Sequence, residues 1–157
     1  MKKICMVSSI SYGFDTRIIK MARSIIKAGF YIDLICPWNV KEGMKDGIYY
    51  RPFHSGHSRL AKLQNYPKIW KLISDHHYDL YHFHHIDVLP LFVLFSLLKK
   101  KPVIYDIREN YSEEMRIKSY IPPILRPMIS FLVKWSEYIF ARIIKNLIVG
   151  NIKMNLD

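Results

Sequence analysis

Two short apolar runs separated by one helical pattern open this chain, and that order restricts the folds open to it. Ile4 to Ser8 (ICMVS) reads as a buried parallel strand. Ser9 to Phe14 forms a loop containing Gly13, and Asp15 offers an N-cap. Ile18, Ile19, Ala22, Ile25 and Ile26 then recur at helical spacing, and Gly29 sits where a C′ glycine belongs. Phe30 to Cys36 (FYIDLIC) is a second strand, ended by Pro37. A β-α-β opening of this kind requires a right-handed crossover and a parallel sheet.

The rest of the chain repeats the alternation. Ile48–Phe53 is a weaker strand, placed near an edge because Pro52 cannot donate to a ladder. Ser58–His76 is basic and amphipathic, and Pro67 interrupts it at a position suited to the first turn of a second helix. Tyr78–His84 alternates as a strand, Val88–Leu98 is a nearly all-apolar helix, and Pro102–Ile107 is another buried strand. Arg108–Pro123 reads as irregular, Ile124–Asn146 as one long helix, and Leu147–Val149 as a last strand. The pattern predicts one Rossmann-like, three-layer α/β/α domain over residues 1–157, with about six mainly parallel strands. In such sheets ligands bind beyond the carboxyl ends of the strands. The loops after Ser8, Pro37, His84, Asp106 and Gly150 are therefore the ones to inspect.

Composition excludes several classes. The net charge of +11 favours an anionic partner, and the excess is uneven, +8 over residues 1–78 against +3 over 79–157. Cys5 and Cys36 lie in apolar runs and read as small core residues of a reducing compartment. The longest uncharged apolar run, Val88–Leu98, has 11 residues, where a spanning helix needs about 20. No secretory leader is visible at the amino terminus. With six glycines and no G-x-G pair, neither a Walker loop nor a dinucleotide fingerprint is present.

Four groups of residues carry chemistry. His82, His84 and His85 end one strand and Asp87 follows; they read as a crevice that hydrogen-bonds or deprotonates a hydroxyl, or as strand-end histidines bonded to neighbours. A metal is not expected, because His85 points away from the face that His82 and His84 share. Asp106 and Glu109, with Arg108 between them, end the PVIYDI strand and would serve as a base or hold sugar hydroxyls; the alternative is a capping Asp106 and a salt-bridged Arg108. Gly13 and Arg17 flank the first helix start, where a backbone and a guanidinium can meet a phosphate, although Asp15 as a simple cap explains that stretch equally. Arg51, Arg59, Lys62, Lys68 and Lys71, interleaved with Tyr66 and Trp70, form either a solvated helix face or a contact with an anionic membrane; no nucleic-acid signature accompanies them.

Several segments together resemble the retaining glycosyltransferases of family 4, of GT-B fold. SYGFDTRIIKMARSIIKAGFYIDLI resembles the family's opening, and DLYHFHHIDVLP and VIYDIRENY resemble its two histidine- and acid-bearing strand ends. WSEYIFARIIKNLIVGN resembles the helix and strand that close the first half of such enzymes. His85 stands where the family usually has Asp, and Arg108 where it usually has His. The resemblance implies an acceptor-side N-terminal domain without the nucleotide-sugar-binding C-terminal domain. It implies sugar transfer from a nucleotide sugar to a saccharide or lipid-linked acceptor, in capsule or lipopolysaccharide synthesis, with no metal or other cofactor. Glu109 and His84 would be catalytic. His82, Asp106, Arg108 and Asp87 would hold the acceptor, and Gly13 and Arg17 the donor phosphates. The domain would be cytoplasmic and peripheral at the inner face of the membrane, and inactive alone. The competing readings are a non-enzymatic subunit that recruits a catalytic partner to the membrane, and a flavodoxin-like nucleotide-binding domain, which the lack of a glycine-rich loop disfavours.

Overall fold

A computed structural model of the chain describes residues 1–9, 16–37, 41–56, 59–107 and 109–149, with only the backbone of 59–62. The elements are β1 (Lys3–Val7), α1 (Thr16–Lys27), β2 (Tyr31–Pro37), β3 (Gly43–Lys45), β4 (Ile48–Phe53), α2 (Arg59–Ser74), β5 (Leu80–Phe83), α3 (Leu89–Lys99), β6 (Val103–Ile107), α4 (Tyr111–Ile117), α5 (Arg126–Ile144) and β7 (Asn146–Val149). Single 3-10 turns at Ile86–Val88 and Pro123–Leu125 lead into α3 and α5. The seven strands form one sheet in the order β3-β4-β2-β1-β5-β6-β7. Every pairing is parallel except that of β3 with β4.

Side-chain alternation along the strands divides the core in two. On one face Ile4, Met6, Ile32 and Leu34 pack under Ile18 and Ala22 of α1. On the other, Cys5, Val7, Phe83 and Tyr105 pack under α2, α3 and α5. The Phe83 ring is sandwiched there, stacked on Phe92 at 4.5 Å and on Tyr105 at 4.7 Å between centroids. Both cysteines are buried thiols within these layers. The α1 helix ends as its sequence requires, with Gly29 at φ 89° in the left-handed region.

The structure departs from the sequence reading in four places. Residues 43–45, read as loop, form a seventh strand. It is joined to β4 by a two-residue turn, Asp46-Gly47, with φ of 53° and 79°. Positive φ at both positions is the primed hairpin turn that Asp-Gly favours. Tyr111–Ile117, read as irregular, is a helix whose N-cap Asn110 accepts a hydrogen bond from the Glu113 amide at 3.3 Å. The α2 helix runs straight through Pro67. The hydrogen bond that Pro67 cannot make would end on the carbonyl of Leu63, and both residues are exposed, so water can satisfy it. The last helix begins at Arg126 rather than Ile124 and stops at Ile144, turned by Lys145 at φ 65°, and Asn146 already belongs to β7.

The amino end of the sheet is pinned by a buried charge. Asp33 of β2 is fully buried, and its Oδ2 accepts from Arg51 Nε at 2.7 Å and from the Tyr78 hydroxyl at 2.6 Å. Lys3 Nζ stands 3.4 Å from the same oxygen, and Glu42 pairs with the far side of Arg51. Removing one member of such a group strands the others in a low-dielectric site. Asp33→Ala is expected to cost about 3–5 kcal/mol of stability, read by urea unfolding, and Asp33→Asn distinctly less.

Candidate functional site

The carboxyl ends of β1 and β5 lie side by side, and their connections leave the sheet on opposite faces, to α1 and to α3. This is the topological switch point, where a crevice opens in doubly wound sheets. Ser8 and His85 span it, with Ser8 Oγ 3.4 Å from His85 Nε2.

His82 and His84 point to the α1 face, because residues two apart on a strand share a side. Their rings lie 4.3 Å apart between centroids. The neighbouring strand β6 pairs His82 with Ile104 and brings Asp106 onto the same face. His84 Nδ1 lies 3.1 Å from Asp106 Oδ2. A carboxylate only accepts, so Nδ1 carries the proton that it donates to Asp106. Arg17, at the start of α1 and half exposed, places its guanidinium 4.0 Å from the other oxygen of Asp106. The three side chains at the centre are 3%, 0% and 0% exposed for His82, His84 and Asp106, so they form a buried polar floor rather than an open wall.

The predicted residues divide accordingly. His82, His84, Asp106 and Arg17 come together. Glu109 is exposed just past the end of β6; its backbone carbonyl accepts from the Tyr111 amide at 3.0 Å, and its charge acts on Tyr111 and Lys118. The Asp87 carbonyl accepts from the Tyr66 hydroxyl, and its charge adds to burial in pushing up the Tyr66, Tyr105 and Tyr111 hydroxyls, the last of which Glu109 also acts on. Gly13 and Arg108, with the cap at Asp15, lie outside the described residues. Arg17 was expected to serve phosphate alone. Its reach to Asp106 depends on where α1 begins relative to β6, which residue spacing does not reveal.

The donor atoms of His82, His84 and Asp106 lie within 4.8 Å of one another, a set whose chemistry could hold a metal ion. Arg17, 4.0 Å from the other oxygen of Asp106, stands beside this set.

A second concavity lies elsewhere. A groove of about 830 Å³ runs between α4, α5 and β7, lined by Phe131, Tyr138, Leu147, Arg116 and Glu137 among others. Burial raises the Glu137 carboxyl to about 7, although the Tyr105 hydroxyl, donating at 3.1 Å, lowers it in part.

The model of glycosyltransferase family 4 matches residues 13–149. The chain belongs to this family. No curated protein matches it in sequence. Among solved structures, sucrose-phosphate synthase from Thermosynechococcus elongatus is similar over 96% of this chain and 47% of that one, at 10% identity and a TM-score of 0.64. Apo UGT2 of Phytolacca americana is similar over 97% of this chain and 46% of its own, at 8% identity and a TM-score of 0.62. A second structure of the same synthase is covered to 91%, at 8% identity and a TM-score of 0.58. This family 4 chain therefore spans about half the length of the first two and shares with all three the fold of a GT-B half.

Two outcomes follow from this geometry. Nitrogen-15 spectra at alkaline pH should show His84 protonated at Nδ1, and Asp106→Asn should mix its tautomers. Glu137 binds a proton in the folded state up to about pH 7, well above an ordinary carboxyl. The unfolded chain releases that proton earlier, so stability should fall as pH rises from about 4.5 through 7. Glu137→Gln, which keeps an acceptor for Tyr105, should raise Tm by a few degrees at pH 8 and flatten that slope in calorimetry.

Proposed function

We propose that this chain is the acceptor-side half of a retaining glycosyltransferase that moves a sugar from a nucleotide sugar to a saccharide or lipid-linked acceptor. Capsule or lipopolysaccharide synthesis is the setting that fits, with the domain cytoplasmic and peripheral at the inner face of the membrane. The observation that carries this reading is the His84–Asp106 pair with His82 at the switch point of a family 4 domain.

The roles follow from exposure. Glu109, exposed past β6, meets the acceptor hydroxyl and takes its proton. Asp106 and His84 form the floor beneath it, the carboxylate fixing the imidazole by accepting from its Nδ1. His82 adds a second imidazole to the floor, and Arg17, half exposed, faces the anionic donor. Gly13 would serve the donor phosphates and Arg108 the acceptor, as the family resemblance implies. No metal enters the reaction, since Arg17 supplies the positive charge.

A nucleotide-sugar-binding domain would face this edge, and the closed cleft would exclude water and align donor with acceptor. Nucleoside diphosphate release, followed over a panel of nucleotide sugars, tests the reading. Residues 1–157 alone should give no turnover. Joined with a second domain, the protein should turn over equally with and without EDTA, and Glu109→Gln should lower kcat by about 100-fold with Tm unchanged. Turnover by the 157-residue chain alone, or an unaffected Glu109→Gln variant, would count against it.

A further inference from the structure

We propose that the outer face of α5, with the neighbouring face of α3, docks on an anionic lipid bilayer. α5 is apolar on both sides. Its inner side chains Phe140, Ile143 and Ile144 pack in the core. Met128, Phe131, Leu132, Trp135 and Tyr138 follow at steps of three and four along the other side and are 49–65% exposed. Ile124, in the turn before the helix, is 86% exposed. α3 packs beside α5 and leaves Leu94, Leu97 and Leu98 on the surface. A contiguous apolar face of this kind on a folded domain marks a contact with something else.

Charge selects the occupant. α3 carries no acidic residue, and α5 carries one, Glu137, which is turned inward onto Tyr105. The exposed charges of α3 and α5 are cations: Lys134, Arg142 and Lys145 on or beside α5, and Lys99, Lys100 and Lys101 at the end of α3, with Glu113 of α4 the acidic group in the adjoining groove. Two copies meeting through this face would oppose like charges. Trp, Tyr and Phe among lysines and arginines match the chemistry of an anionic bilayer surface, where the rings enter the headgroup region and each cation contributes about 1 kcal/mol. No helix of the described residues is long and apolar enough to cross a membrane, which leaves contact in the plane.

This placement replaces α2, whose aromatic residues face inward. Trp70 meets Phe95 edge-on at 5.5 Å, and Tyr66 donates to the Asp87 carbonyl. The inference rests on the peripheral-membrane reading proposed above and assigns it a surface.

The test is co-sedimentation of the 157-residue chain with vesicles of phosphatidylcholine alone and of phosphatidylcholine mixed with phosphatidylglycerol, at low and high salt. The chain should bind the mixed vesicles and release at high salt. Phe131→Ser with Trp135→Ser should weaken binding about tenfold or more, while Lys68→Gln with Lys71→Gln on α2 changes it less than about twofold. Circular dichroism should show all variants folded, since the substituted side chains are solvent-facing. If the wild-type chain binds neither vesicle, the membrane reading and this surface both fall. If it binds and only the α2 variant loses binding, the membrane reading stands and this surface is wrong. A stable dimer in light scattering that Phe131→Ser with Trp135→Ser dissociates would also overturn it, by assigning the face to a second copy.

Discussion

Six strands of this sheet run in one direction, and that shared polarity places their carboxyl ends along one edge. Main-chain connections then lead from β1 to a helix on one face and from β5 to a helix on the other, and a crevice forms at such a reversal. His82, His84 and Asp106 come together because β5 and β6 are neighbours with a fixed register, so side chains far apart in sequence share one face. Slipping β6 by one residue would send Asp106 to the α5 layer and leave His84 without its carboxylate. The candidate site is thus a consequence of strand pairing, and the buried Asp33 group at the opposite edge helps hold that pairing.

Much of this was legible in the sequence, for physical reasons. The long periodic segments specified their own structure: apolar runs bounded by Pro or Gly gave the parallel strands, and the spacing from Ile18 to Ile26 gave α1. The elements that escaped are short. β3 has three residues and α4 has seven, too few to establish a period, although Asp46-Gly47 and the Asn110 to Glu113 cap spelled out their boundaries. Pro67 misled because its cost depends on whether water reaches the freed carbonyl, a tertiary property. At the site, residue types and strand ends could be read, while depth could not. Asp106 lies fully buried and Glu109 exposed three positions later, and the difference comes from where β6 stops.

Surface chemistry was the least legible part. The basic stretch of α2 carries its aromatic residues on the inner side, whereas α5, which reads as one long helix, packs Phe140, Ile143 and Ile144 in the core and leaves a second apolar stripe from Met128 to Tyr138 exposed. The groove beside α5 reaches Ile107 at the end of β6, but on the face of the sheet opposite Asp106, so the groove and the polar floor belong to different faces.

The account turns on the claim that Asp106 acts through His84 in sugar transfer rather than only in folding. The direct measurement is a double-mutant cycle, His84→Gln and Asp106→Asn, in the protein joined to its nucleotide-sugar domain, with kcat and unfolding free energy determined for each form. If the pair works as a unit, each single substitution should lower kcat by about 100-fold or more, the double substitution should be scarcely worse than either, and the coupling in stability should be far smaller. Additive losses in kcat, or a kcat that follows stability alone, would contradict it.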